Sequence, residues 1–300
     1  MYDIIIVGAG TAGLSAAIYG VRAGKKVLVF EAETYGGQII NTLEIENYPG
    51  IKKVSGYDFA TNLYQQTLDL GAEIKFEKVL KILAEEEEKK VVTDGGEYLT
   101  KTVILATGAK NRPLGLEKEK ELIGRGISYC ATCDGAFYKG KAVAVNGGGN
   151  TALEDAIFLA SYCSKVYVIH RRETFRGEEK LLQTLKKKPN VEFVLNSNIT
   201  KLLGDEVLEG VVVKDIKTDE EQTISISGLF IAIGQVPNNS IFAGLIELDQ
   251  SGYIIGKEDC KTNAEGIFVA GDTRTKNVRQ LATAASDGAI AGLAACEYIG

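Results

Sequence analysis

The sequence predicts an α/β fold of two similarly built domains, the second inserted in the first, on three observations. The first is a repeat. An apolar run, Ile4-Ile5-Ile6-Val7, leads into Gly8-Ala9-Gly10-Thr11-Ala12-Gly13 and a helix of small residues over 14–23. Much later, Ala142-Val143-Ala144-Val145 leads into Gly147-Gly148-Gly149-Asn150-Thr151-Ala152 and a helix reaching residue 160. The second is spacing. Each helix is followed by another apolar run, and Gly8 to Glu31 spans the same interval as Gly147 to His170. Short apolar runs alternating with helices mark parallel βαβ units. The third is size and composition. A chain of 300 residues, 45% hydrophobic and 25% charged, has the make-up of about two globular domains.

Each unit carries the same physics. Gly8 permits a tight turn, Gly10 lets a pyrophosphate approach the backbone, and Gly13 lets helix pack on strand. The helix N-terminus then offers unpaired N–H groups and the positive end of its dipole. Ala12 lies in the first turn, and Gly147, Gly149, Asn150 and Thr151 occupy the second. The expected architecture is therefore two Rossmann-like dinucleotide-binding domains of three-layer ββα build. The strand ends distinguish the ligands. Glu31 suits a free ribose diol, as in FAD or NAD. The second unit has Arg171 and Arg172 there, with Arg176 just beyond. Guanidinium forks suit the 2′-phosphate of NADP, the competing reading being a solvated basic turn.

The remaining segments fill out this plan. Residues 102–105 and 229–233 read as the last parallel strand of each sheet, with Gly108 and Gly234 where the chain passes a ligand. The charge run over residues 85–90 reads as a solvated turn of a β-meander, and residues 191–226 look similar. The strand over 268–270 returns to the first sheet. The expected domains are residues 1–112, residues 113–239 and, completing the first, residues 240–300. The boundaries are turn-rich, near Pro113 and Pro237-Asn238-Asn239.

Charge and cysteine usage narrow the function. A net charge of −6 argues against nucleic acid as the main partner. No apolar run has the length of a membrane span, and the first residues lack the pattern of a signal peptide, so a soluble cytoplasmic protein is expected. Five cysteines without a secretory signal do not suggest a disulfide scaffold. Cys130 and Cys133 form a single C-x-x-C, half of what a four-cysteine zinc site needs, so no metal is expected. A C-x-x-C allows a short-loop disulfide, and the adjacent Asp134 can relay protons as it opens. The alternatives are half a zinc site or two buried thiols; two dinucleotide units favour redox. Cys163, placed on an amphipathic helix, Cys260 and Cys296 read as packing residues. His170 is the lone histidine.

Through these motifs the chain resembles the bacterial-type, low-molecular-weight thioredoxin reductases over essentially its full length. The two glycine turns, Gly36-Gly37-Gln38, Glu46-Asn47-Tyr48-Pro49-Gly50, Ala106-Thr107-Gly108-Ala109, Cys130-Ala131-Thr132-Cys133-Asp134, His170-Arg171-Arg172 through Arg176, and Gly271-Asp272 through Arg279-Gln280 carry the match. The resemblance implies an FAD-containing homodimer passing electrons from NADPH through flavin and the cysteine pair to thioredoxin or a thioredoxin-like dithiol protein. It implies FAD contacts at Gly37, Gln38, Asn47, Asp272, Arg279, Gln280 and Ala282. It places Cys133 toward the flavin and Cys130 toward the partner. The chain departs from the pattern at Asn146 and Gly177. Other readings are a reductase of another dithiol carrier, an enzyme with a ferredoxin-type donor, and an FAD-binding redox sensor. The small residues over 279–295 would let a helix approach a flat ring.

Overall fold

Ile4, Ile5 and Ile6 are fully buried, as a strand covered on both faces requires. Their strand, Tyr2–Val7, pairs in parallel with Val27–Phe30 on one side and Glu97–Leu105 on the other. Glu73–Lys75 extends the sheet beyond Val27–Phe30. The computed structural model describes residues 1–42, 44–84 and 88–300. It divides into one unit of Met1–Lys110 with Val236–Gly300 and a second of Asn111–Gln235. The division falls a few residues earlier than the turn-rich stretches suggest. The two crossings, Ala109–Asn111 and Gln235–Pro237, pair with each other as a two-stranded sheet.

In the first unit, the helix Thr11–Arg22 packs along the C-terminal helix Leu281–Ile299. Small residues make that contact close. A Cβ on Gly288 would lie 2.2 Å from the Ala12 carbonyl oxygen, and one on Gly292 would lie 2.8 Å from that of Ala16. Glu97–Leu105 serves two sets of partners beyond Tyr2–Val7. Residues 97–100 pair antiparallel with Lys89–Thr93, which pairs with Val79–Ala84. Residues 103–105 pair in parallel with Ile267–Val269. The expectation that this strand ends its sheet is therefore corrected: at nine residues it is long enough to hold two neighbours at different heights.

The acidic stretch 85–87, expected as a solvated turn, lies outside the described residues. Lys89 and Lys90 belong to the strand Lys89–Thr93, and Lys89 is only 2% exposed, its stem packed over Gly266. That part of the solvated-turn expectation does not hold.

In the second unit, Ala142–Asn146 pairs in parallel with Lys165–Ile169 and Gly228–Ile231. Two expectations change here. Gly228–Ile231 is not last, because the short strand Ile127–Ser128 pairs outside it. Val191–Val194 joins the parallel sheet beside Lys165–Ile169 instead of the meander. The Asn190 amide donates to the Ala160 and Cys163 carbonyls, which ties the start of that strand to the end of the helix Asn150–Leu159 and the loop after it. Ser197–Leu203, Gly210–Asp215 and Glu221–Ser225 form a separate antiparallel sheet.

One buried ionic group stands out in the first unit. Arg274 donates from Nε and Nη2 to the two Asp287 carboxylate oxygens at 2.8 and 2.9 Å. Lys276 Nζ and the Gly271 N–H also donate to Asp287 Oδ2, at 2.8 and 3.0 Å. Burial alone would raise the Asp287 pKa, but the hydrogen bonds from Arg274 and Lys276 hold it below the usual carboxylate range. Its stabilisation is thus present above the unfolded carboxylate pKa of about 4 and is lost as pH falls through the folded value. Asp287→Ala removes the one buried counter-ion of Arg274 and Lys276 among the described residues, leaving Arg274 only the exposed Glu258 at 3.7 Å, and should cost about 3–5 kcal/mol in urea unfolding. Asp287→Asn should also flatten the loss of stability below about pH 4. A variant with wild-type stability and acid limb would contradict this account.

Candidate functional site

Close backbone approach shapes the first glycine turn. A Cβ on Gly13 would lie 1.9 Å from the Gly8 carbonyl oxygen, and one on Gly8 would lie 2.4 Å from that of Ala106. Gly10 is different: its nearest neighbour would be the Gly37 Cα at 3.9 Å. Among the described residues no atom demands glycine there. The turn therefore keeps a side-chain-free hollow at the start of Thr11–Arg22, a helix with no side-chain N-cap. Glu31 is fixed beside it, accepting from the Ala9 and Glu33 N–H groups, both at 2.9 Å. The Gly36 N–H bonds the Ala9 carbonyl, laying Gly36 and Gly37 along Gly10. Gln38 stands exposed on the following turn.

Asp272 occupies the turn Gly271–Thr273, and its Oδ1 is buried without a hydrogen-bond partner among the described residues. Burial raises its pKa, opposed by Lys276 and Arg279. A buried carboxylate oxygen in that condition calls for a hydroxyl or N–H donor. The Arg279 guanidinium donates to the Asp272 and Arg274 carbonyls, both at 3.3 Å, and lies 4.2 Å over the Tyr253 ring. Asn47 Nδ2 donates to Gln280 Oε1 at 3.3 Å, so two residues distant in sequence meet. Gln280 and Thr283 form a capping box that starts the C-terminal helix, and Ala282 is half-buried in its first turn. Gly108 adopts φ +65° with open space where a Cβ would point.

One residue here escaped sequence reasoning. Asn239 is 1% exposed. Its Oδ1 accepts from Thr107 Oγ1 at 3.0 Å and Thr273 Oγ1 at 2.7 Å, and its Nδ2 donates to the Gly252 and Thr273 carbonyls. It ties the turn before Gly108 to the turn carrying Asp272. Its sequence context signalled only a turn.

The second glycine turn repeats the logic with different partners. A Cβ on Gly147 would lie 2.3 Å from the Ala232 carbonyl oxygen, and one on Gly148 would lie 2.2 Å from the His170 ring. Gly149 has nothing within 4 Å. His170 is buried beneath this turn, stacked on Phe175, with Nε2 3.2 Å from the Thr174 carbonyl. Burial holds its pKa below the usual value, with the Thr174 contact opposing. Its place is structural. The Arg176 and Gly177 N–H groups bond the Gly148 carbonyl, and Asn150 exchanges two hydrogen bonds with Glu178. The arginine loop is thereby sewn to the turn. Arg171, Arg172 and Arg176 are exposed, and none of their guanidiniums has a partner among the described residues. Thr151 is exposed beside them. Gly177 departs from the family pattern for a visible reason: a Cβ there would meet Leu153 Cδ1 at 2.5 Å.

Cys130 and Cys133 are joined in a disulfide across the start of the short helix Ala131–Asp134. Ser128, buried on the strand Ile127–Ser128, accepts from the Cys130 N–H at 3.0 Å and donates to Asp134 Oδ2 at 2.6 Å. Burial raises the Asp134 pKa, and the Ser128 hydrogen bond opposes the rise. This arrangement supports disulfide exchange with a carboxyl group ready to hold or release a proton. Ser128 also went unread in the sequence, since nothing local singles it out.

The other cysteines are chemically quiet. Cys163 lies in the loop after Asn150–Leu159 and not on that helix, which corrects its expected placement; its thiol donates to the Tyr138 carbonyl. Burial pushes the Cys163 thiol up to about 11 and Cys260, beside Asp287 as well, to about 12. Cys296 is raised by burial too.

Two strand–glycine-turn–helix units and a short-loop disulfide beside a half-buried carboxylate define a dinucleotide-dependent disulfide oxidoreductase. The chain belongs to the pyridine nucleotide-disulphide oxidoreductase family, whose pattern it matches over residues 2–289. It is 40% identical to the thioredoxin reductase of Peptoclostridium acidaminophilum, across 100% of this chain and 97% of that protein. It is 44% identical to the thioredoxin reductase of Mycoplasma genitalium, across 98% of this chain and 94% of that protein. The crystal structure of thioredoxin reductase from Streptococcus pyogenes superimposes with a TM-score of 0.94 at 38% identity, covering 99% and 98% of the two chains.

At pH 7 the native oxidised protein should react slowly with a thiol alkylator at Cys163 and Cys260, and quickly after unfolding, because thiolate is the reactive species. Rapid modification of either in the native state, read by mass spectrometry, would contradict the burial argument.

Proposed function

We propose that this chain is a flavoprotein disulfide reductase carrying electrons from NADPH, through FAD and the Cys130–Cys133 disulfide, to a thioredoxin or similar dithiol protein. The observation that carries the reading is that disulfide, one residue from a mostly buried Asp134, in a chain with two glycine turns that each keep an unfilled hollow.

The residues present fit both cofactors. For FAD, the Gly10 hollow and the uncapped helix start suit the pyrophosphate, with Gly8, Ala12 and Gly13 shaping the turn. Glu31 suits ribose hydroxyls, and the orphaned Asp272 Oδ1 suits a further hydroxyl donor. Gly37, Gln38, Asn47, Gly108, Arg279, Gln280 and Ala282 complete that set. For NADPH, Gly147, Gly149, Asn150 and Thr151 suit the phosphates, and the unpartnered Arg171, Arg172 and Arg176 suit the 2′-phosphate. When bound, NADPH supplies a hydride and FAD passes the electron pair to the disulfide.

The chain's own residues handle the exchange. In the dithiol state, Asp134 takes the proton of one thiol, and the thiolate attacks a sulfur of the partner's disulfide. The other cysteine resolves the mixed disulfide, Cys130 and Cys133 are rejoined, and both protons end on the partner's thiols. Cys130 is assigned to the partner and Cys133 to the flavin. A cytoplasmic homodimer belongs to the same proposal; among the described residues no helix is long and apolar enough to cross a membrane.

Three outcomes test this function. Arg171→Ala with Arg172→Ala should erode NADPH use far more than NADH use, since only NADPH loses a 2′-phosphate partner; equal loss in steady-state assays of both would count against it. Cys130→Ser or Cys133→Ser should abolish thioredoxin reduction while FAD stays bound and reducible by NADPH. Asp134→Asn should slow dithiol exchange by about 10²–10⁴-fold in rapid mixing, and a near-normal rate would exclude it as proton carrier.

A further inference from the structure

The hydroxyl of Ser128 joins two parts of the redox centre. It lies on the edge strand Ile127–Ser128, 4% exposed, directly before the cysteine pair. The Cys130 N–H points at its Oγ at 3.0 Å, and that Oγ in turn reaches Asp134 Oδ2 at 2.6 Å. One hydroxyl therefore spans from the backbone of one redox cysteine to the carboxylate beside the other. It does so from the β-sheet, not from the short helix that carries the disulfide.

We infer that Ser128 is a positioning residue of the redox centre, holding the Asp134 carboxylate and the Cys130 backbone in one register so that Asp134 serves as proton carrier to the pair. This rests on the proposed role of Asp134 and adds to it the group that orients it. In the exchange, Asp134 receives a thiol proton, the sulfur–sulfur bond of the partner breaks as that of Cys130–Cys133 forms, and the protons leave on the partner's thiols. Ser128 neither gains nor loses a bond. Its hydrogen has two acceptors in reach, the Cys130 carbonyl at 3.3 Å and Asp134 Oδ2 at 2.6 Å, and the shorter, charge-assisted bond is to the ionised form of Asp134, the form that accepts the proton.

The surroundings of Asp134 leave Ser128 as its named polar partner. Burial raises the Asp134 pKa, and the Ser128 hydrogen bond opposes the rise. Tyr138, on the turn Gly135–Tyr138, faces Asp134 closely enough for its own ionisation to be opposed. The helix Asn150–Leu159, packed against the cysteine helix, carries Glu154 and Asp155, and the Tyr162 hydroxyl beyond it lies beside Gly135. None of these supplies Asp134 with a hydrogen-bond donor.

The test follows one half-reaction in the full-length protein loaded with FAD. The enzyme is prereduced to its dithiol and mixed with oxidised thioredoxin, and thiol transfer is read by quenching and alkylation between pH 5 and 9. A hydrogen bond to a charged acceptor is worth about one pKa unit or more. Ser128→Ala should therefore move the acid limb of the exchange rate upward by about one pH unit, so that the loss grows as pH falls. Ser128→Thr, which keeps the hydroxyl, should restore the limb toward its wild-type position. Asp134→Asn should remove the limb altogether. An unmoved limb in Ser128→Ala, or a loss equal at every pH, overturns the role of Ser128 while leaving Asp134 in place. Survival of the wild-type limb in Asp134→Asn overturns the reading of Asp134 and this inference with it. Should Ser128→Ala fail to fold, Ser128→Val compared with its near-isostere Ser128→Thr decides the same question.

Discussion

A helix that begins within one turn of a strand end must run its backbone past other backbone with no side chain between them. Most of this structure follows from that constraint. Gly13 and Gly8 leave no room for a Cβ against each other, and Gly147 leaves none against Ala232. The same closeness recurs where Gly288 and Gly292 pack on Ala12 and Ala16, so the small residues of the last helix act as a packing surface. The consequence is chemical. With side chains excluded, the first N–H groups of each helix open onto the hollows at Gly10 and Gly149, where a phosphate can approach a positive dipole end.

Groups around those hollows are set by anchors far away in sequence. Asn239 joins the turn at Thr107 to the turn at Thr273. Asp287, on the last helix, holds the Gly271 N–H and gathers Arg274 and Lys276. A buried ion group of this kind contributes little net stability compared with well-packed apolar residues, but removing one member is costly. Its effect here is geometric: Asp287 anchors the Gly271 N–H at the start of the turn that carries Asp272. The arginine loop of the second unit is anchored similarly, through Asn150 and Glu178 and through the Gly148 carbonyl.

The redox centre depends on contrast among thiols. Cys130 and Cys133 are paired in a short loop and partly exposed, while Cys163 and Cys260 are buried with their thiolate forms suppressed. Exchange therefore concentrates at the pair without special reactivity built elsewhere. His170, the only histidine, takes no part; its ring fills the space that the absent Gly148 side chain leaves.

The two βαβ units, their glycine turns, Glu31 and the arginines at the strand ends, and the C-x-x-C with Asp134 were all readable from sequence. Each is contiguous, and spacing along the chain encodes local geometry directly. Strand neighbours were less legible. Ile127–Ser128 is too short to show a pattern, and only pairing with Gly228–Ile231 places it; the strand at 267–269 was legible as part of the first sheet, but not its pairing with Glu97–Leu105. Lys89 looked solvated because its charge is visible in the sequence and the packing of its stem is not. Asn239 holding two turns, Asn47 meeting Gln280, and Ser128 joining Cys130 to Asp134 were decided by the tertiary structure alone. Such contacts depend on which surfaces a close-packed core brings within hydrogen-bond reach, and no local residue pattern carries that information.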